Sequence, residues 1–151
     1  MSTIALSQAQ GEMLTKVLSG LASECDARAA VISDVGGNIL AQAPATPDLD
    51  VETAAVLAAG TFLATRELAD VVGETGFQSS CHRGASSGVL VHALGGDHLV
   101  LLVLSSKSVE GLARICLDKV SVQLVSMLES TGGQSVMDAG QISDFEVEEI
   151  G

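Results

Sequence analysis

The sequence predicts an α+β domain in which three helices and five short strands follow one another as α-β-β-α-β-β-β-α. Three observations predict it. Apolar residues recur at helical spacings of three and four from Ser7 to about Ala22, in the stretch ending at Val72, and from Val109 to about Glu129. Two short β-type runs lie between the first and second of these, split by Asp34, Val35, Gly36 and Gly37; three more lie between the second and third, split by Gly84 to Ser87 and by Gly95-Gly96. Leu99 to Leu104 is aliphatic at all six positions, which suits a strand in mid-sheet with helices over both faces.

The elements follow in order. The first helix, α1, over residues 7–22, carries Met13, Leu14, Val17, Leu18 and Leu21 on one face, and Ser7 with Gln10 has the spacing of a capping box. ARAAVISDVGGNILAQA, residues 27–43, reads as a hairpin of β1 and β2 whose paired glycines tolerate a positive φ. Both prolines of the chain fall in APATPDLD, after which Asp48 or Asp50 can cap α2, a helix that runs to Val72 and stops at Gly73. GFQSSCHR (residues 76–83, β3), GVLVHAL (88–94, β4) and DHLVLLVLS (97–105, β5) form a meander, and the polar β3 suits a sheet edge. Ser108 is positioned to cap α3, whose apolar face of Val109, Leu112, Ala113, Ile115, Cys116, Val120, Leu124 and Leu128 ends near Glu129. STGGQS then reads as a linker, dividing a domain of residues 1–130 from a flexible acidic tail of residues 131–151.

A chain of 151 residues with 47% apolar composition suits one compact domain. Its formal charge of −12 repels phosphate, and residues 131–151 hold five acids and no base. With seven basic residues, three Phe and neither Trp nor Tyr, the chain lacks the basic footprint and the stacking platform of a nucleic-acid binder. The longest aliphatic run, six residues, is far short of the ~20 that span a bilayer. MSTIALSQAQ lacks the basic start and apolar segment of a secretion signal, so a cytoplasmic protein is expected. Cys25, Cys81 and Cys116, odd in number and widely spaced, read as reduced thiols.

No residue set commits the chain to catalysis. Cys81-His82, with His92 and His98 near in sequence, is the sharpest suspicion, because thiolate–imidazole pairs transfer acyl groups and Cys/His sets bind zinc. Neighbouring strand residues point to opposite faces, however, so Cys81 and His82 cannot serve one ligand. If the turn at Gly84 to Ser87 sets Arg83 opposite Gly88, Cys81 faces Leu90 and Ser79 faces His92. There is no G-x-x-x-x-G-K-[ST] phosphate loop, and the paired glycines read as hairpin turns. Asp48, Asp50 and Glu52 favour the positive end of α2 rather than acid–base work. Arg66, Arg83 and Arg114 could each act as an arginine finger, a guanidinium that stabilises transition-state charge at another protein's phosphate, although a solvated or ion-paired arginine is the plainer reading. No enzyme activity, cofactor or metal is expected.

TAAVLAAGTFLAT, residues 53–65, has no charge in thirteen residues, and it raises the question of what covers α2. At 100° per residue, Ala54, Leu57, Ala58, Thr61, Thr65, Leu68 and Val72 collect on a side suited to a sheet. Glu52, Ala55, Val56, Ala59, Gly60, Leu63, Arg66, Glu67 and Asp70 collect on the other. Its uncharged middle predicts a second chain packed against Ala55, Val56, Ala59, Gly60 and Leu63, with Arg66, Glu67 and Asp70 at the rim, since small side chains allow close helix approach.

AAVISDVGGNILAQA, DVETAAVLAAGTFLATRELADVVGE and DHLVLLVLSSKSVEGLARICLDK, in that order and spacing, resemble the first hairpin, central helix and last strand and helix of the Roadblock, or dynein-light-chain-like, family. The likeness spans residues 7–130 and is nearest to the bacterial MglB-type regulators of small Ras-like GTPases. It implies a five-stranded antiparallel sheet with α2 on one face and α1 and α3 on the other, and a homodimer joined through α2 and the edge strand. It also implies a non-enzymatic regulator or scaffold that binds a small Ras-like GTPase and works without an arginine finger, by reshaping the partner's switch loops. A ligand-sensing module of the PAS or GAF kind is the alternative, disfavoured by the scarcity of aromatics for a pocket. In the tail, Ile142, Phe145, Val147 and Ile150 among acids suggest a docking peptide for a basic, grooved partner, or else a solubilising extension.

Overall fold

The computed structural model of the chain describes residues 6–143, and their side chains as far as Ser130. α1 spans Gln8–Glu24 and opens on the expected capping box: the Gln10 amide donates to Ser7 Oγ (3.1 Å) and the Ser7 amide to Gln10 Oε1 (2.9 Å). β1 (Ala27–Asp34) and β2 (Ile39–Ala43) form the first hairpin. Asp34 holds its turn, accepting the Gly36 and Asn38 amides on Oδ1, each at 2.9 Å, and Asn38 Nδ2 on Oδ2 at 3.1 Å. α2 spans Val51–Val72 and is capped by Asp50, whose Oδ1 accepts the Thr53 amide at 3.1 Å. Gly73 ends it in the left-handed conformation, at a φ of 84°. The meander is β3 (Ser79–Arg83), β4 (Gly88–Leu94) and β5 (His98–Leu104).

The five strands make one antiparallel sheet in the order β2-β1-β5-β4-β3. β5 is central and buried along its whole length, whereas the polar β3 takes an edge, where its composition suits solvent. The β3–β4 register sets Arg83 opposite Gly88, Cys81 opposite Leu90 and Ser79 opposite His92, the alignment the intervening turn predicts. Alternation along the strands then sorts the core into two layers. On one face Leu90, Leu94, Val100, Leu102 and Leu104 meet Leu14, Leu18 and Leu21 of α1 and the α3 residues Leu117 and Leu124. On the other, Ala29, Val31, Val91, Leu99, Leu101 and Val103 meet Val51, Ala58, Ala59 and Phe62 of α2.

Two local features differ from the sequence reading. α3 spans Glu110–Ser143, so the backbone stays helical through residues 131–143, where a linker was expected. Gly132 and Gly133 each cost a helix about 1 kcal/mol but break no hydrogen bond, and no proline lies beyond Pro47 to force a stop. Ser108, expected as the cap of α3, sets its hydroxyl between the Ser105 amide and the Asp26 carbonyl, each at 2.9 Å. It thereby ties the β5–α3 turn to the α1–β1 turn.

Candidate functional site

The outer face of α2 is apolar and uncovered. Val71 is 81% exposed, Leu57 65%, Val56 55% and Leu63 41%, and Leu68 and Val72 are open as well. These side chains, with Ala64, recur at spacings of three and four, so they fall on one stripe along the helix. Gly60 lies in the stripe, and a Cβ placed there would meet nothing within 4 Å. Exposed apolar stripes are a feature that interaction surfaces share.

The helix is turned roughly a quarter turn from the sequence-based wheel. Ala55 and Ala59, placed there at a partner interface, are 0% and 3% exposed and lie beneath the helix. Leu57, Leu68 and Val72, placed toward the sheet, point to solvent. Phe62 explains the difference. It is the one aromatic residue of α2, its burial against the sheet gains more than that of any neighbour, and it brings Val51, Ala55, Ala58, Ala59 and Ala69 down with it. Because α2 is apolar on nearly all sides, its smaller residues do not fix the phase; Phe62 was the available signal.

Of the other expected interface residues, Val56, Gly60, Leu63, Arg66, Glu67 and Asp70 are exposed. Arg66 is nonetheless engaged: its guanidinium lies 4.9 Å from the Phe62 ring centroid and donates to the Gly96 carbonyl at 2.6 Å. It therefore flanks the stripe and joins the C-terminal half of α2 to the β4–β5 turn. Glu67 and Asp70 remain as the acidic rim.

The reactive side chains are dispersed. Cys81 packs into the α1/α3 layer, while His82 is exposed on β3. Burial, followed by the neighbouring Glu110 carboxylate, pushes the Cys81 thiol up, opposite to the shift that activates a nucleophile. Cys25 is pushed up to about 12, first by burial and then by Cys116. Burial likewise lowers His92 and His98. Among the described residues no three His, Cys, Asp or Glu side chains are grouped to hold a metal ion. Arg83 donates to the Ser108 carbonyl at 2.8 Å, and Arg114 pairs with Glu110 at 3.0 Å and with the Ser79 hydroxyl. Each candidate arginine finger is thus held within the chain. No described helix is long and apolar enough to cross a membrane. Ile142 falls in the last described turn of α3; Phe145, Val147 and Ile150 lie outside the described residues.

The sequence profile of the Roadblock/LC7 domain matches residues 13–105. The gliding protein MglB of Thermus thermophilus is 30% identical, and the superposition, at a TM-score of 0.77, covers 86% of this chain and 98% of that one. A structure described as MglB with a tetrameric arrangement is 29% identical at a TM-score of 0.78, covering 87% and 98%. Myxococcus xanthus MglB, 23% identical over 85% of this chain and 96% of its own, shares the fold at a TM-score of 0.77. A search among curated proteins returned no match. Nothing in these likenesses supports a PAS or GAF sensor.

Proposed function

We propose, for a chain that belongs to the Roadblock/LC7 family, the role of a non-enzymatic homodimeric regulator or scaffold whose paired α2 helices bind a small Ras-like GTPase and bias its nucleotide cycle. The observation that carries the proposal is the uncovered stripe of Val56, Leu57, Gly60, Leu63, Ala64, Leu68 and Val71. At Gly60 a second helix can approach toward the low end of the ~8–10 Å interaxial range. Two copies related by a two-fold axis would bury their stripes against each other, and β3 offers a free sheet edge beside them. Residual apolar surface rimmed by Glu67 and Asp70 then forms a platform of the mixed character that transient partners recognise.

The likeness to MglB of Thermus thermophilus, a gliding protein by name, supports placing this platform in a GTPase-controlled motility or polarity system. The internal engagement of Arg66, Arg83 and Arg114 supports action by reshaping switch loops rather than by inserting a finger. The tail, with Ile142, Phe145, Val147 and Ile150, serves as a secondary docking peptide for the same partner. A regulator shifts a conformational equilibrium only through differential affinity. Titration calorimetry against the organism's small GTPases should therefore give two chains per GTPase and affinities differing by at least about tenfold, ~1.4 kcal/mol, between GTP and GDP forms. Binding to none of them, or equal binding in both states, would overturn the proposal.

A further inference from the structure

His92, in β4, is 2% exposed and sits where the sheet edge meets α3. Its ring Nε2 lies 3.4 Å from Gln78 Nε2 and 3.9 Å from Asp118 Oδ1, while its Nδ1 is buried and has no hydrogen-bond partner. The Gln78 side-chain amide also donates to the Ala93 carbonyl at 3.3 Å, and the Gln78 carbonyl accepts the Ala93 amide at 2.9 Å. Gln78 immediately precedes β3. Ser79, the first residue of β3, stands opposite His92 in the ladder and receives Arg114 on its hydroxyl. The side-chain ties at the start of the edge strand therefore gather around one imidazole.

The contact turns on the ring's tautomer. With the Gln78 amide held at Ala93 O and its second hydrogen directed at His92, Nε2 accepts when the ring proton is on Nδ1, which is the closed, neutral form. A second proton can enter only at Nε2. There it turns the acceptor into a donor facing the Gln78 amide, and rotating that amide to present its oxygen would break the bond to Ala93. The charged groups facing the ring come from α3: Asp118, which would attract the imidazolium, and Arg114, which would repel it. The β3 side contributes only Gln78 and Ser79, neither titratable, and β5 contributes Val100.

We propose that His92 is a proton-operated latch on the sheet edge: protonation at Nε2 expels the Gln78 amide, swings the ring toward Asp118 and frees the start of β3. Burial, opposed by Asp118 and assisted by Arg114, places the titration below the usual histidine value of 6.5. In mildly acid conditions the free edge becomes disordered at Gln78 and Ser79 first. The effect on assembly rests on the edge pairing proposed above; the latch does not, and it is tested on the strand itself.

Hydrogen exchange of the β3 amides that face β4, those of Ser80 and His82, in the full chain, corrected for intrinsic rates, reads the latch directly. Protection should fall at least about tenfold between about pH 7.5 and pH 5, in step with His92 ring titration followed by its nitrogen shifts. In His92→Gln, which can accept but cannot titrate, these amides should lose no more protection over the same range than the β5 amides, which report the His98-dependent change of the whole fold. Gln78→Ala, which removes the latched group without touching the core, should be poorly protected at both ends. Flat protection in the wild-type chain while the ring charges, an equal fall in His92→Gln, or a ring still neutral at about pH 5 would each overturn the proposal. Full protection of Gln78→Ala would do the same if His92→Gln does not fold.

Discussion

Gly37, in the β1–β2 turn, lies directly against Val56 of α2: a Cβ on Gly37 would stand 2.8 Å from the Val56 Cα. The hairpin turn and the helix meet with no room for a methyl group, and Gly37 also holds a φ of 91° that L side chains rarely adopt. Gly37→Ala should therefore cost about 2–4 kcal/mol of unfolding free energy in urea, combining backbone strain with a clash against helix backbone. Gly96→Ala, where a Cβ meets nothing within 4 Å, should change it by less than about 0.5 kcal/mol. Equal effects of the two would mean that the turn does not brace the helix.

Leu63 and Ala59 separate assembly from folding. Leu63→Arg places a charge on the outer stripe, twice over across a two-fold axis, and should give a folded monomer by circular dichroism and sedimentation. Ala59→Arg forces a guanidinium beneath α2, where the site is 3% exposed, and should lose more than about 4 kcal/mol or fail to fold. A Leu63→Arg chain still dimeric at low micromolar concentration would remove the stripe from the interface.

His98, 8% exposed, sets a dependence on mild acid. Burial lowers its folded value below 6.5, more than Asp97 and Asp34 raise it, so in that window the unfolded chain binds the proton first. Stability should fall as pH drops through 6.5, by at most ~1.4 kcal/mol per pH unit for each such histidine, and His98→Gln should flatten part of the slope in urea titrations. At lower pH Asp34 acts in the carboxylate sense. Burial raises it, but hydrogen bonds from Asn38 and Gly36 outweigh that and hold it below 3.8, so its contribution, present above 3.8, is lost as pH falls through the folded value.

Truncation after Ser130 should leave the melting temperature within a few degrees of the full chain. Leu128, 4% exposed, is the last buried side chain described in α3. A large loss would show that residues 131–151 pack on the domain. Unchanged affinity for the GTPase would instead remove the docking role.

The layers of the fold were legible because each strand carries its own alternation or continuous burial, and because Gly84 to Ser87 fixes the β3–β4 register residue by residue. The polar β3 announced an edge and the aliphatic β5 a centre. The candidate site was legible only in part. An uncovered stripe on α2 follows from TAAVLAAGTFLAT, but with alanines on every side the wheel has no strong phase, and Phe62 decided which alanines went under. His92 and its neighbours could not be read from sequence at all, since Gln78 and Asp118 meet that ring only through the sheet and α3. The extension of α3 was hidden for another reason: Gly132-Gly133 lowers helix propensity without forbidding a helix.

The central position of β5 has a kinetic consequence. The hairpin β1–β2 and the meander β3–β4–β5 can each form from near neighbours in the chain, but the sheet becomes whole only when Ala30 pairs with Leu102 and Ile32 with Val100. That seam joins segments separated by all of α2, so the entropy of closing a long loop is met before its contacts reward it. Folding should be limited by this one docking event, on the millisecond-to-second scale of non-local β topologies rather than the microseconds of helical bundles. During synthesis, a nascent chain halted before His98 holds two helices and up to two hairpins with no central strand to join them.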